Sequence, residues 1–473
     1  MEQRTTVIPE SDLRHQREIC QMIKEYWQAR GITPKAFVDT YGCQQNEADS
    51  ERIRGMLADC GYAMTDTEEG ADVIVLNTCA IREHAEQRVF GNVGALVHTK
   101  RRHEGQKIFL CGCMMGQDHV VQKIKNSYTH VDGVFNPHHL WRFPELLHHV
   151  LTKKKRVFAV EDSAGNIAEG IPVVRSNGLK AWVSIMYGCN NFCSYCIVPY
   201  VRGRERSRDP QRILDEVRQL VAEGYKDITL LGQNVNSYGK DLGLDMDFAD
   251  LLRACNDIPG EFLLRFMTSH PKDATQKLFE TMAACEKVAP SLHLPVQAGN
   301  DRVLHVMNRK YTREQYLEKI RALKALIPDI VLTSDIIVGF PGETTEEFED
   351  TLSLVEEVGY DSLFTFIYSR REGTPAAKMP DVLTKGEISA NFQRLVARQN
   401  EISAQKHAAY VGKTLRVLVD GKNTDGKHSL TARTDGGRLV HLDGDESLIG
   451  GFYSCKITGS SNWALFGEIV KEG

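Results

Sequence analysis

Between Lys180 and about Ser369, short apolar runs alternate with helix-length segments, and this repeat constrains the fold of the 473-residue chain more than any other feature. The six runs begin at Trp182, Asp227, Leu263, Ser291, Val331 and Ser362. The helical segments between them are Pro210–Glu223, Phe248–Asn256, Asp273–Cys285, Arg313–Leu326 and Thr345–Val358. Six βα units in succession predict a partial (β/α)6 barrel, with its functional residues at the carboxyl ends of the strands.

A similar alternation in residues 34–150 predicts a separate α/β domain with a parallel sheet. Its apolar runs are Ala36–Tyr41, Val73–Asn77 and Lys107–Cys111. After a helix around Leu395–His407, β-branched residues and glycines replace the helical pattern. Runs such as Leu415–Asp420, Gly436–Leu442 and Phe452–Ile457 predict a small antiparallel β-barrel or sandwich.

We therefore expect a multidomain α/β protein with five parts. They are a polar extension (1–33), the parallel-sheet domain (34–150), a linker (151–174), the barrel domain (175–408) and the β-domain (409–473). The apolar fraction of 42% and charged fraction of 26% are typical of a soluble globular protein.

Composition also limits the partners of the chain. The segment Met1–Cys20 lacks the apolar core of a signal peptide, and no run approaches the roughly 18 apolar residues that span a bilayer. We therefore expect a cytoplasmic protein without a membrane partner. We also expect a monomer. A net charge of −5 gives no overall attraction to nucleic acid, so RNA binding would need local basic patches.

Twelve cysteines in a cytosolic chain indicate metal or redox chemistry rather than disulfides. Three of them, Cys189, Cys193 and Cys196, form a C-x3-C-x2-C loop just after the first barrel strand. Three thiolates can hold three irons of a [4Fe–4S] cluster and leave the fourth iron open for a ligand. The alternatives are a zinc site, which usually takes four ligands in pairs, or three unrelated buried cysteines.

A second trio, Cys43, Cys79 and Cys113, is spread over the parallel-sheet domain, and each member follows a predicted strand. Loops after parallel strands emerge along one edge of a sheet, so these cysteines can converge and hold a second, auxiliary cluster. The alternative is that they are ordinary core cysteines. Cys111 lies two residues from Cys113, on the same side of an extended chain, and as a fourth ligand it would close the cluster; Cys113 is favoured because it follows the flexible Gly112 where the strand ends. The remaining cysteines are expected to be structural; they are Cys20, Cys60, Cys255, Cys285 and Cys455.

The loop at Gly188–Cys196 resembles the signature of the radical S-adenosylmethionine superfamily. Over residues 34–473 the chain resembles its methylthiotransferase family, whose last domain is a TRAM domain, a small RNA-binding β-barrel. The motifs that carry this resemblance are Thr40–Ser50, Asn77–Glu86, Gly112–Cys113, Gly188–Cys196, Arg202–Arg208, Leu231–Asn234, Met267–Pro271, His293–Gln297, Met307–Tyr311 and Asp335–Glu343.

The resemblance implies two [4Fe–4S] clusters, two molecules of S-adenosylmethionine per turnover and an external electron donor. One S-adenosylmethionine would methylate sulfur at the auxiliary cluster. The other would be cleaved at the second cluster to a radical that removes hydrogen from carbon 2 of an adenine. A radical is needed because that C–H bond is neither acidic nor electrophilic, so the cofactor supplies the difficult step.

The first cysteine motif indicates the branch of the family. The branch that modifies an aspartate of a ribosomal protein typically has Leu-Gly-Cys-Pro-Lys-Asn there, and the branch that acts on threonylcarbamoyladenosine has Leu-Gly-Cys-Lys. This chain has Tyr41-Gly42-Cys43-Gln44-Gln45-Asn46, with Gln45 in place of the usual Met. It is most similar to the branch that converts N6-isopentenyladenosine, next to the anticodon in a tRNA stem-loop, into its 2-methylthio derivative.

Polar residues at successive strand ends are candidates for binding S-adenosylmethionine by hydrogen bonds at the barrel mouth; they are Gln233, Ser269, Gln297 and Asp335. By resemblance, Tyr195 packs beside the adenine of the cofactor. Ordinary loop capping and packing are the alternatives for each residue.

Arginines and lysines in two segments are candidate RNA contacts, because Arg and Lys hold phosphates. The dense run after the cysteine loop contains Arg202, Arg204, Arg206 and Arg208, and the last domain contributes Lys413, Arg416, Arg433 and Arg438. For the first run, a solvated charge cluster or internal ion pairs with Glu205 and Asp209 are the alternatives.

The sequence is also compatible with two rival functions. One is the same chemistry on an aspartate of a small-subunit ribosomal protein. The other is a two-cluster electron-transfer or scaffold protein, although such proteins usually ligate each cluster with four cysteines.

Overall fold

The computed structural model describes residues 7–80, 83–161, 165–424 and 426–470. Residues 81 and 82 of the second family motif, and residues 1–6 of the predicted extension, lie outside the described residues. Within the described ranges, no helix is both long enough and apolar enough to cross a membrane.

The N-terminal domain is a six-stranded, fully parallel sheet in the order β2-β1-β3-β4-β5-β6, covered by helices on both faces. The central strands, β3 and β4, are buried except for the first residue of β4, as expected for a parallel sheet. The strands are β1 Lys35–Thr40, β2 Ala63–Met64, β3 Val73–Thr78, β4 Lys107–Gly112, β5 Gly133–Phe135 and β6 Val157–Ala159. The helices are α1 Glu10–Gln28, α2 Gln44–Asp59, α3 Glu83–Arg102, α4 Asp118–Ser127 and α5 Phe143–Lys153.

Two segments that the sequence places outside this domain belong to it. Helix α1, in the predicted extension, buries Leu13, Ile19 and Ile23, and Gln16 accepts a hydrogen bond of 3.2 Å from the backbone N–H of Glu145. Strand β6 pairs with β5 inside the predicted linker. A strand of three residues is too short to show the alternation by which strands are predicted.

The central domain is the predicted six-stranded partial barrel, built from two parallel three-stranded sheets, β11-β10-β7 and β12-β13-β14. A short bridge joins them: the N–H of Leu264 donates to the carbonyl of Lys287 at 2.7 Å, and the N–H of Ala289 donates back to Leu264 at 2.9 Å. The six strands are β7 Lys180–Ser184, β10 Asp227–Leu231, β11 Leu263–Met267, β12 Ser291–His293, β13 Val331–Val338 and β14 Ser362–Ile367.

A small antiparallel ribbon, β8 Met186–Tyr187 with β9 Arg206–Ser207, flanks the cysteine loop. The helices of this domain are α6 Val198–Val201, α7 Pro210–Ala222, α8 Phe248–Asn256, α9 Gln276–Ala284, α10 Asp301–Val306, α11 Arg313–Leu326 and α12 Thr345–Val358. Most of them cover the outside of the barrel, whereas α6 packs against the N-terminal domain beside Cys113. Several begin with capping boxes, as at Thr312 and Thr344.

Helix α13, Lys385–Ala408, leads into a closed five-stranded barrel in the order β15-β16-β17-β19-β18. Its strands are β15 Thr414–Lys422, β16 Leu430–Thr434, β17 Leu439–Leu442, β18 Phe452–Ser460 and β19 Leu465–Ile469. The pairing is antiparallel except between β17 and β19, which run parallel and close the barrel. Closure removes the free strand edges that an open sheet would expose.

Candidate cluster and cofactor site

The first cysteine trio lies at the carboxyl edge of three adjacent strands. Cys79 and Cys113 directly follow β3 and β4, and Cys43 comes three residues after the end of β1; these strands are neighbours in the sheet order. Cys43 is also the N-cap residue of α2. Parallel pairing therefore brings to one place three residues that are 36 and 34 positions apart in the sequence.

Asn46 holds the three loops together. Its Oδ1 atom lies 3.5 Å from the Sγ of Cys43 and 4.0 Å from the Sγ of Cys113, and its Nδ2 donates to the carbonyl of Thr78 at 2.9 Å. Cys79 directly follows Thr78. It lies close to the loop of Cys43, because a Cβ built on Gly42 would be only 3.0 Å from the Cβ of Cys79. The trio thus converges on one fully buried amide.

The structure separates Cys111 from Cys113. Cys111 still belongs to β4 and packs in the apolar core with Phe109 and Phe135. Gly112 then adopts a φ of 94°, which a residue with a side chain rarely adopts, and turns Cys113 away from the strand. A Cβ at Gly112 would also lie 2.3 Å from the carbonyl oxygen of Thr78, so only glycine fits.

A buried arginine from the central domain completes this first site. The Nε of Arg202 donates to the Sγ of Cys113 at 2.8 Å, and its Nη2 donates to Asn46 at 3.2 Å and to Asp49 at 2.9 Å. Burial opposes the charge of Arg202, but the adjacent Cys113 and Asp49 outweigh it and raise its pKa well above the usual value. Burial raises the pKa of Cys113 to about 12, while the guanidinium favours its thiolate.

The second trio, Cys189, Cys193 and Cys196, occupies the loop between β8 and α6. Burial raises the pKa of Cys189 and of Cys196 to about 12. The Nη1 of Arg309 donates to the Sγ of Cys193 at 3.3 Å and to the hydroxyl of Tyr195 at 3.3 Å. Each trio therefore has one buried arginine against one of its thiols, a cation that stabilises a thiolate.

A single short segment joins the two trios. Ile197 follows Cys196, and together with Val201 it packs against Ala80 and Cys113 in one apolar cluster. Arg202, at the end of the same segment, reaches Cys113. In addition, Gln45 donates to the hydroxyl of Ser184 at 2.9 Å, which ties the first cysteine loop to the first barrel strand.

The donor sets fit iron–sulfur clusters. Among the described residues, no three His, Cys, Asp or Glu side chains lie close enough to hold a single metal ion. A four-iron cluster spreads its thiolates more widely than one ion does, and thiolates are its usual ligands. Two converging sets of three thiols, each beside a cation, suit such clusters better than zinc.

Four of the predicted cofactor residues surround the barrel mouth with different partners. Gln233 accepts a hydrogen bond from the backbone N–H of Gly188, next to Cys189. Gln297, with a φ of 78°, forms a bridge with Ile336 of β13. The side chain of Asp335 lies 3.5 Å from Nε2 of His293. Tyr195 is half-buried and contacts Arg309.

Ser269 is the fifth. It is buried, and its Oγ has no hydrogen-bond partner among the described residues. The preceding Thr268 has a φ of 73°, which is strained for a β-branched residue. Unsatisfied polar atoms and backbone strain at the ends of barrel strands are typical of sites prepared for a ligand.

The arginine run does not form the expected basic surface. Arg202, Arg206 and Arg208 are buried at 4%, 9% and 6% exposure, so they are not available to RNA phosphates. Arg208 pairs with Glu169 and Glu216, not with Glu205 or Asp209. The charge of Arg202 is paired with Asp49 of the N-terminal domain, whereas burial lowers the pKa of Arg206 to about 10.

Arg204 is the exposed member of the run, and its guanidinium stacks 4.4 Å from the ring centre of Phe192 in the cysteine loop.

In the C-terminal barrel, Arg438 is also buried. It pairs with Asp361 of the central domain and stacks over Tyr410, so it joins two domains and does not face solvent. Lys413 is exposed. Arg416 is exposed but paired with Asp435 and Glu261, and Arg433 is half-buried beside Asp420.

Sequence reasoning did not assign roles to Asn46, Asp49 and Arg309. All three lie within family motifs, so membership in a motif was the signal that could have identified them as functional residues. Only the contacts with Cys43, Cys113 and Cys193 show what these residues touch.

Comparisons with known proteins agree with this architecture. Three family models match: the Radical SAM superfamily over residues 183–355, the Uncharacterized protein family UPF0004 over residues 35–136, and the TRAM domain over residues 408–470. The tRNA-2-methylthio-N(6)-dimethylallyladenosine synthase of Acetivibrio thermocellus is 49% identical over 468 residues, which are 98% of each chain. The chain belongs to this synthase family.

Other synthases of the same name are equally similar. The protein of Alkaliphilus oremlandii is 49% identical over 98% of each chain, and that of Clostridium perfringens is 50% identical over 92% of this chain and 97% of its own. The predicted relationship to the methylthiotransferases is therefore confirmed, and the chain is a radical S-adenosylmethionine transferase. Membership in that superfamily implies a [4Fe–4S] cluster and S-adenosylmethionine.

A solved structure supports the predicted fold of this synthase-family member. The radical S-adenosylmethionine methyltransferase TsrM from Kitasatospora setae superposes with a TM-score of 0.54 at 15% identity, covering 73% of this chain and 75% of that protein. At this identity the likeness concerns the fold alone.

Proposed function

We propose that the chain attaches a methylthio group to carbon 2 of N6-dimethylallyladenosine, also called N6-isopentenyladenosine, next to the anticodon of tRNA. One S-adenosylmethionine serves as methyl donor and a second as radical source, with electrons from an external donor. The observation that carries the proposal is the pair of three-cysteine sites, joined by the segment Ile197–Arg202. A methyl-sulfur transfer and a radical step need two reactive centres that share one substrate.

Cys43, Cys79 and Cys113 would hold the auxiliary [4Fe–4S] cluster, and Cys189, Cys193 and Cys196 would hold the radical-generating one. When bound, the clusters would supply an electron for cofactor cleavage and a site for the sulfur to be transferred.

The protein's own residues provide charge and position. Arg202 and Arg309 compensate the negative charge of the thiolates in a buried environment, where an uncompensated charge is costly. Gln233 and the backbone around Gly188 keep the cysteine loop at the barrel mouth. Ser269, Gln297 and Asp335 offer polar groups to the amino, ribose and carboxylate parts of S-adenosylmethionine.

Binding of the tRNA needs cations that contact its phosphates. It also needs the target base to be unstacked from its neighbours. The target adenosine must leave the stem-loop and enter the barrel mouth. Arg204, stacked on Phe192 beside the second cysteine trio, suits a phosphate or base near the mouth, and Lys413, Arg416 and Arg433 suit phosphates farther along the stem. The resemblance of the last domain to RNA-binding TRAM domains supports this arrangement.

The decisive experiment compares three substrates with the anaerobically reconstituted protein. Dimethylallyl-containing anticodon stem-loop should yield the 2-methylthio product, whereas unmodified stem-loop and a ribosomal protein should not. Iron analysis of the same sample should give about eight irons per chain. Activity only on the protein substrate, or failure to cleave S-adenosylmethionine after reduction, would reject the proposal.

A further inference from the structure

The last strand of the partial barrel carries three exposed large apolar side chains, two of which, Phe364 and Phe366, lie on one face of the strand, while Ile367 lies on the other. On β14, Phe364 is 49% exposed and Phe366 is 41% exposed. Strand β14 ends its sheet, so its free edge borders the open side of the barrel. Large apolar side chains that remain exposed together usually mark a contact with a ligand or partner.

The strand register shows that both phenylalanines face the inside of the barrel. Phe364 is paired with Asp335, and Phe366 is paired with Ile337, and paired residues of neighbouring strands point to the same side. On β13, residues 333, 335 and 337 are partly exposed, whereas 334, 336 and 338 are buried beneath the helices.

A direct contact agrees with this register. The ring of Phe364 lies 5.6 Å from the ring of His293, in an edge-to-face arrangement. His293 is hydrogen-bonded to Thr333 and lies beside Asp335, one of the residues proposed for the cofactor. The apolar pair therefore borders the same mouth as the polar cofactor residues.

We propose that Phe364 and Phe366, together with Ile337, form the wall that receives the dimethylallyl group of the substrate adenosine. This inference rests on the proposed function, and it names the part of the substrate that this wall selects. The other residues proposed for the mouth are polar, and they suit the cofactor and the purine edge. The five-carbon substituent is apolar and is the feature that distinguishes this substrate from ordinary adenosine.

The position of the substituent gives the wall a second role. In adenine, the N6 group is attached two ring bonds from carbon 2, so anchoring the substituent also fixes where the C2–H bond points. Accurate placement of the reacting bond matters because small displacements reduce rates strongly. Phe364 and Phe366 are thus positioning and specificity residues, without a part in the bond changes.

The test uses the double variant F364A/F366A of the cluster-loaded protein, with anticodon stem-loops that carry either a dimethylallyl or a methyl group on N6. The ratio of kcat/KM for the two RNAs should fall by about 10- to 100-fold, mainly through loss on the dimethylallyl RNA, because apolar pockets discriminate by this order. The conservative variant F364L/F366L should keep most of the preference.

The matched control is I367A, on the outer face of the same strand, where Ile367 is 47% exposed. It should leave the ratio unchanged. In a binding assay without an electron donor, F364A/F366A should show the same loss of preference for the dimethylallyl RNA. In a separate assay with the electron donor and without RNA, this variant should still cleave S-adenosylmethionine.

An unchanged ratio in F364A/F366A, with a wild-type protein that prefers the dimethylallyl RNA, would overturn the inference and leave the proposed function intact. A wild-type protein that methylthiolates neither RNA would overturn both.

Discussion

The guanidinium of Arg202 donates a hydrogen bond of 2.8 Å to the thiol of Cys113, although 89 residues separate them in the sequence. Arg202 ends the segment that begins just after Cys196. Through this contact the loop of one cysteine trio forms part of the wall of the other. The segment Ile197–Arg202 thus connects the two proposed reaction centres directly, and the hydrogen bond from Gln45 to Ser184 is a second tie between them.

Replacing Arg202 should destabilise the protein. Arg202→Met leaves Asp49 buried without its main cation, so the free energy of unfolding should fall by ~3–5 kcal/mol. Chemical denaturation of the protein without clusters measures this. Arg204→Met, which changes the exposed neighbour, should stay within about 0.5 kcal/mol of wild type. If the two substitutions lowered the free energy of unfolding equally, the buried pair of Arg202 and Asp49 would contribute no more to stability than an exposed arginine.

Single cysteine substitutions should separate the two clusters. Cys79→Ala should keep cleavage of S-adenosylmethionine but stop methylthiolation, whereas Cys193→Ala should stop both, and each should retain about four irons per chain. Iron and sulfide analysis with product assays checks this. Cys111→Ala is the control, since Cys111 lies in the core, and it should retain about eight irons. Methylthiolated product from Cys79→Ala would contradict the assigned role.

The unpartnered hydroxyl of Ser269 should cost stability and contribute to binding. Ser269→Ala removes a buried polar atom without a hydrogen-bond partner among the described residues, so the free energy of unfolding should rise by ~1 kcal/mol. The affinity for S-adenosylmethionine should fall by about tenfold, which corresponds to ~1.4 kcal/mol. Thermal unfolding and equilibrium binding measure the two effects.

Ser334 is the matched comparison for that experiment. Its hydroxyl accepts from the N–H of Val296 at 2.9 Å and donates to the carbonyl of Leu294 at 3.0 Å. Ser334→Ala should therefore destabilise the protein, opposite in sign to Ser269→Ala. If both substitutions lower the free energy of unfolding, the hydroxyl of Ser269 has a structural role and is not reserved for binding a ligand.

Salt dependence should separate RNA contacts from structural arginines in the last domain. Lys413→Ala removes an exposed cation, so it should weaken binding of the stem-loop and reduce the slope of log affinity against log salt by about 1. Arg438→Met should leave that slope unchanged and lower the melting temperature instead, because Arg438 pairs with Asp361. A reduced slope of log affinity against log salt for Arg438→Met would show that Arg438 contacts RNA after all.

Patterns local in the sequence predicted much of this protein. The six barrel strands and most of their helices follow from alternation and periodicity, which depend on near neighbours. Both cysteine trios were also proposed from spacing and strand context, because parallel strands always end at a common edge. The relationship to the methylthiotransferases was visible in the motifs around Cys43 and Cys189.

Burial was the property that local patterns did not reveal. Arg202, Arg206, Arg208 and Arg438 have the composition of a basic surface, yet each is buried, and Arg202 and Arg438 pair with carboxylates of another domain. Their neighbours come from distant parts of the chain, such as Asp49 and Asp361. For the same reason, the roles of α1 and β6 in the N-terminal domain were missed.

The sequence by itself thus determined which elements form and which residues have the chemistry to hold clusters. The tertiary structure alone decided which charges face inwards, which residues contact the thiols of each trio, and that Phe364 and Phe366 border the mouth. The physical reason is that strand periodicity and ligand chemistry are short-range properties of a chain, whereas burial and charge pairing depend on contacts between segments far apart in sequence.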